Sequence, residues 1–252
     1  MMFSLGNLVG PGVGGYVAQF FGFNAAFGLT VFLSLTAIAF VFAAYMKVGV
    51  HVGVGSGERR EKANYRQLLM PFFVAASAAL FFMAFSYGGI LTFLPAFYKE
   101  SGFGTGVFGL YASVMGGASL VTRVFGGKEA DRRGPLPVAL TGLSLVLVAY
   151  TVLVFRKLPP AAYVSAVLLG AGFGLAVPAL QVMALAELPK RIRTVGSGVY
   201  TMFFDLGYLS GPLFLGYVAR LQGYAAVFKY LPLLVGASLG VLLLLRLTTH
   251  KS

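Results

Sequence analysis

The chain has 252 residues, of which 58% are hydrophobic and only 10% charged, with a formal net charge of +12 and a mean hydropathy of +0.87. A soluble domain of this length carries roughly 25% charged residues, so this chain cannot cover itself with polar surface, and its solvent is lipid. There is no cysteine, and the two histidines, His51 and His250, stand far apart in polar segments. Disulfides, thiolate metal sites and a cysteine nucleophile are therefore excluded, and no catalytic or metal-ligating cluster is formed, so neither an enzyme nor a cofactor is expected.

Eight apolar spans follow in order, at about 1–20, 25–46, 68–95, 107–125, 136–155, 161–186, 195–219 and 225–246. Each is near the ~20 residues that cross a bilayer. The first lacks the basic start of a signal peptide, since the first cation is Lys47, and reads as a membrane helix. Gly6, Gly10 and Gly14 recur in it every four residues, and Pro11 follows Gly10. Small residues let helices approach closely in lipid, while a helix-internal proline removes a hydrogen bond and bends the helix. This pattern reads either as a packing groove with a fixed kink or as a hinge at a moving interface.

Between the second and third spans lies Lys47 to Gln67, rich in glycine and charge, which reads as a linker. It divides the chain into residues 1–46, two helices of one unit, and residues 68–252, a six-helix unit. The remaining connections are short. Lys and Arg residues are unevenly placed among these polar segments. Lys47, Arg59, Arg60, Lys62, Arg66, Arg123, Lys128, Arg132, Arg133, Lys190, Arg191, Arg193, Arg246 and Lys251 fall on one side. Lys99, Arg156, Lys157, Arg220 and Lys229 fall on the other. The bias puts the richer side, with both termini, in the cytoplasm of a cell membrane. The basic charge is thus a topology signal and not a nucleic-acid site.

The seventh span repeats the first. Residues 1–27 align without gaps on 202–228, a constant offset of 201 positions (202 − 1). Gly6, Gly10, Pro11, Gly15, Tyr16 and Gly22 meet Gly207, Gly211, Pro212, Gly216, Tyr217 and Gly223 in register. One structural unit and the tail of a preceding copy are therefore expected. Two GxGxxG runs, Gly10-x-Gly12-x-x-Gly15 and Gly104-x-Gly106-x-x-Gly109, lack the strand–turn–helix setting of a dinucleotide site. No P-loop is found, so solute movement would draw on a gradient or on another subunit.

Charge inside an apolar span is costly and selective. Asp205, in the seventh span, is the clear acid, and its register partner in the first span is Ser4. It reads as a proton-coupling group or as a structural acid bonded to a helix end. Arg123 ends the fourth span, where it snorkels or pairs with Asp131. Tyr87 and Gln181 are candidates to line a cavity or to bond neighbouring helices.

The segment Gly127-Lys128-Glu129-Ala130-Asp131-Arg132-Arg133-Gly134 resembles the GxxxDRxG loop of major facilitator superfamily transporters. The first-span run GNLVGPGVGG resembles that family's GxxxGPxxGG helix motif, and FDLGYLSGPLFLG resembles its second-half echo. GAGFGLAVPALQ and PKRIRTVGSG are similar to the family's tenth helix and the loop after it. The resemblance covers essentially the whole chain. It implies an all-α membrane protein, a helical bundle of two six-helix halves that rock about a central site. Eight helices, five to twelve of twelve, would be present here: one complete half and two helices of the other. The resemblance further implies a cytoplasmic gate at Gly127, Asp131, Arg132 and Gly134, with Arg123 beside it. Glu129 and Pro135-Leu136-Pro137 depart from the family pattern, which weakens the expected charge latch. The packing or antiporter motif maps onto Gly6, Gly10, Pro11, Gly14 and Gly15, echoed by Gly207, Gly211 and Pro212.

The function so implied is secondary active transport, with a small organic solute and protons as partners and export by proton antiport favoured over an uptake symporter. The other reading is a membrane fragment that does not transport alone and needs a separately encoded N-terminal half, as a truncated or split gene would produce.

Overall fold

The computed structural model describes residues 2–48 and 65–249, with backbone only for residues 2–8, 11, 47–48, 65–66, 131 and 249. Most of the expected 47–67 linker, with His51, and the C-terminal His250 lie outside the described residues. The helices are α1 (Met2–Val48), α2 (Pro71–Glu100), α3 (Thr105–Arg133), α4 (Pro135–Phe155), α5 (Ala161–Ala186), α6 (Arg193–Gln222) and α7 (Tyr224–Thr249). Short 3-10 turns, Tyr65–Leu69 and Lys190–Ile192, lead into α2 and α6. Among the described residues there is no strand, as expected where the bilayer leaves no partner for an open sheet edge.

Among the described residues seven helices are long and apolar enough to cross a membrane, against the eight spans expected. The difference lies in α1, a run of 47 residues that holds the first two expected spans. At 1.5 Å per residue it would extend roughly 70 Å, more than twice the ~30 Å hydrocarbon layer. It is broken instead at Gly22, whose φ of 84° and ψ of 166° are non-helical.

The same device recurs. Gly134 (φ 84°, ψ 159°) separates α3 from α4, and Gly223 (φ 82°, ψ 164°) separates α6 from α7. Positive φ strains any residue with a Cβ, so glycine occupies all three points. Pro135 then opens α4 at a position where its missing N–H costs nothing.

This corrects the expectation of a loop at GxxxDRxG. Residues Gly127 to Arg133 form the last two turns of α3. Glu129 and Arg133 pair across one turn, and Arg132 and Arg133 complement the negative end of the helix dipole. Only Gly134 stops the helix.

Helix contacts divide the bundle. α5 lies against α3 and α4, α2 lies against α6 and α7, and α4 reaches α7. The main partner of α1 is α3. Contact is close where glycines meet backbone, as small residues permit in lipid. A Cβ on Gly172 would stand 2.6 Å from the Gly142 carbonyl oxygen, and one on Gly170 would overlap the Met115 carbonyl. Buried polar links tie the same pairs: Tyr111 and Ser165 hydroxyls are 2.8 Å apart across α3 and α5, and Ser238 donates to Ala79 O at 2.9 Å across α7 and α2. α1 differs, for all its large apolar side chains from Phe20 to Met46 except Leu29 are exposed, Phe40 by 74%.

Candidate functional site: a cavity between α2, α3, α5 and α6

A cavity of about 480 Å³ opens between α2, α3, α5 and α6. Tyr87, Arg123, Gln181 and Asp205 all line it, brought together from four helices. Two clamps aim these side chains. Gly174 packs α5 on α3 so closely that a Cβ would stand 2.6 Å from Ser119 O and 3.1 Å from Arg123 N, and Thr122 donates to Ala171 O at 3.2 Å. With α3 fixed in rotation, Arg123 projects into the cavity. On the other side Gly207 and Gly211 press α6 on α2, where a Cβ would overlap the carbonyls of Phe81 and Phe85. At 100° per residue Asp205 lies about 200° from Gly207, on the far side of α6 from this seam and toward the cavity.

The cavity is layered. Arg123 is ten residues from the α3 end at Arg133, and Asp205 is twelve from the α6 start at Arg193, so both sit roughly 15–18 Å in from the arginine-rich side. Gln181, five residues from the end of α5, is nearer that side. Tyr87, sixteen residues into α2, is deeper, at roughly 24 Å. Tyr87 and Phe173 form the deep end, 4.4 Å apart between ring centroids; Tyr208, outside the lining, lies 6.2 Å from Tyr87 and stacks on Phe204, which stands at the level of Asp205. Tyr200 is buried and donates a long bond to Val177 O, 3.4 Å. The Nε of Arg123 is buried and has no hydrogen-bond partner.

The gate residues take different positions. Gly127 has open space around it, Arg132 is exposed, and Gly134 is the helix break. The side chain of Asp131 lies outside the described residues, so its pairing with Arg123 is not described. Gly6 and Pro11 likewise have only backbone described, both within α1.

The expected stripe of Gly6, Gly10 and Gly14 is not the packed one. Neither Gly10 nor Gly14 has any atom within 4 Å of a built Cβ. The face against α3 is instead Gly12, Gly15 and Gln19, spaced three and four residues apart on one side of the helix. A Cβ on Gly12 would overlap Ser113 Oγ, and one on Gly15 would stand 3.3 Å from Gly109 Cα. Gly106 N–H donates to Gln19 Oε1 at 3.0 Å, capping the start of α3, where no side chain of α3 does so. The two GxGxxG runs, unsuited to a nucleotide, thus pack on one another. Pro212 lies over Gly88, in the α2–α6 seam.

Sequence reasoning missed Phe173, Tyr200 and Phe204, which look like ordinary span residues until α5 and α6 bring them together around the cavity. Gln19 stood out only as a polar residue in a span. Its partner is a backbone N–H, which leaves no mark in sequence.

The Major Facilitator Superfamily profile matches residues 1–212 and again residues 107–252. The chain belongs to the Major Facilitator Superfamily. The relatives it matches are MFS-type transporters, in keeping with the run of apolar helices described above. It is 33% identical over 162 residues to an uncharacterized MFS-type transporter of Pseudomonas aeruginosa (strain LESB58), covering 64% of this chain and 39% of that protein. It is 28% identical over 173 residues to the uncharacterized MFS-type transporter YhhS of Escherichia coli (strain K12), covering 69% and 40%. It is 29% identical over 220 residues to one from Burkholderia mallei (strain SAVP1), covering 87% and 51%. The chain therefore spans about two-fifths to one half of the length of these relatives. Among solved structures, a mutant of the peptide transporter POT crystallised with alafosfalin shares the fold, with a TM-score of 0.60 at 22% identity over 69% of this chain and 38% of that one.

Proposed function

We propose that this superfamily member exports small organic solutes in exchange for protons, with the cavity as the solute path and Asp205 as the coupling group. The observation that carries the reading is the meeting of Asp205, Arg123, Gln181 and Tyr87 on one cavity. These are four polar groups from four helices, in spans where each is costly unless it serves water, solute or protein. The layering supports it too, with Arg123 and Asp205 toward the arginine-rich side and Tyr87 and Phe173 deeper. The positive-inside bias makes that side cytoplasmic, in the cell membrane, so the cavity would load from the cytoplasm. Gly127, Asp131, Arg132 and Gly134 then form a cytoplasmic gate at the end of α3, and Gly22 divides α1 into two crossings, giving eight in all.

A second reading concerns the partner. The open space at Gly10 and Gly14 and the exposed α1 surface favour an N-terminal half seated on α1, supplied by a longer chain or by a separate one. In this arrangement transport belongs to the two halves together, with residues 1–46 as part of the first and 68–252 as the second.

The test is export of toxic organic solutes by the complete transporter, expressed in a strain lacking its major efflux systems, followed by the same assay on Asp205→Asn across a range of pH. The proposal expects export that depends on external pH, and loss of that dependence in the variant. Export with an unchanged pH profile in Asp205→Asn contradicts the coupling role.

A further inference from the structure

We infer that the cavity takes a zwitterion with an apolar, preferably aromatic, body, its cationic group on Asp205 and its anionic group on Arg123; the inference rests on the cavity being the solute path. Arg123 and Asp205 are the two charged residues among those lining it. Among the described residues no ion pair joins Arg123 to Asp205, and Arg123 Nε is buried without a partner. They nevertheless lie at nearly the same depth, about 15 and 18 Å from the ends of their helices. A charged side chain within a span costs ~2.5–3.5 kcal/mol on insertion scales. Two opposite charges held at one level without neutralising each other present a complementary site for a molecule that carries both signs.

Other charge types fit less well. A simple cation satisfies Asp205 but faces the Arg123 guanidinium, and a simple anion satisfies Arg123 but faces the Asp205 carboxylate. Beyond the charged level stand Phe173 and Tyr87, 4.4 Å apart between ring centroids across α5 and α2, while Phe204 lines the cavity at the charged level itself. The Phe173 and Tyr87 rings supply an apolar ceiling for the body of the solute and favourable edge and face contacts for an aromatic one. Gln181, Ser119 and Thr201 add neutral hydrogen-bonding groups around the charged level.

Three probes of one shape separate the charge types: L-phenylalanine, phenethylamine and 3-phenylpropionate. Equilibrium binding of each, radiolabelled, is measured on the purified complete transporter in lipid nanodiscs. L-Phenylalanine is expected to bind about tenfold more tightly than either single-charge probe. Asp205→Asn should erase its advantage over 3-phenylpropionate, and Arg123→Gln its advantage over phenethylamine. Arg123→Lys and Asp205→Glu, which keep the charges, should retain the preference and so separate charge recognition from misfolding. Equal or tighter binding of a single-charge probe, or variants that weaken all three probes alike, overturns the inference while leaving the solute path intact. Binding of none of the three, or binding insensitive to both variants, overturns the solute-path reading itself.

Discussion

The two copies of the repeat share a sequence pattern but not their surroundings. Gly22 and Gly223, in register, hold almost the same backbone angles, φ 84° and ψ 166° against φ 82° and ψ 164°. Gly10 and Gly211, also in register, differ completely: Gly211 meets the Phe85 backbone and Gly10 meets nothing within 4 Å. Gln19 accepts a hydrogen bond from α3, whereas its counterpart Arg220 is exposed at the far end of α6. Local backbone geometry thus follows the residues, while close packing depends on which helix arrives opposite them. A glycine motif marks where a helix can be approached and does not say that it is.

The largest break in this comparison is expected from leucine at the paired glycines. Gly211→Leu places a side chain into the Phe85 backbone and should cost about 3 kcal/mol or prevent folding, since overpacking costs roughly 1–3 kcal/mol even where side chains can move. Gly10→Leu, with open space, should leave stability unchanged or slightly raised by helix propensity, by up to about 1 kcal/mol. Thermal unfolding in detergent measures both, and equal losses would show that the two copies pack alike. Gly22→Ala and Gly223→Ala should cost similar amounts, about 1–3 kcal/mol each, because both force a Cβ into positive φ. A loss at only one of them would mean that the shared angles are not shared constraints. The smallest effect is expected from Gln19→Ala, about 1 kcal/mol for one interhelical hydrogen bond. Its specific mark is faster hydrogen exchange at the Gly106 amide with little change at Gly223, which bonds within its own copy to Ala219 O.

Much of the fold was legible because lipid imposes a simple code of apolar spans, basic flanks and small-residue contacts. Spans three to eight correspond to α2 through α7. The α1 break was legible as a gap between spans, though not as one glycine within a continuous helical run. The GxxxDRxG segment was misread as a loop, since glycine and charge usually mark one, while an ion pair at i,i+4 and a single glycine stop keep it helical. At the site, Asp205, Arg123, Tyr87 and Gln181 stood out because polar groups are rare in spans. The aromatic wall did not, because Phe173 and Phe204 acquire meaning only from the helices across from them. The Gly12, Gly15 and Gln19 face was hidden by the more regular Gly6, Gly10 and Gly14 spacing. Spacing reports which residues share a face and not which face is covered.

The central claim is that the space between α2, α3, α5 and α6 is a watered solute path rather than a lipid-filled gap. Because the chain has no cysteine, single cysteines report access without background. The decisive measurement is labelling of Gln181→Cys, Thr201→Cys and Leu213→Cys by a membrane-impermeant maleimide in inside-out vesicles. Thr201 lines the cavity and Leu213, on the same helix, is 71% exposed on the outer surface of the bundle. The account predicts rapid labelling at 181 and 201 and none at 213. Labelling at 213 equal to that at 201, or no labelling at either cavity position, would contradict it.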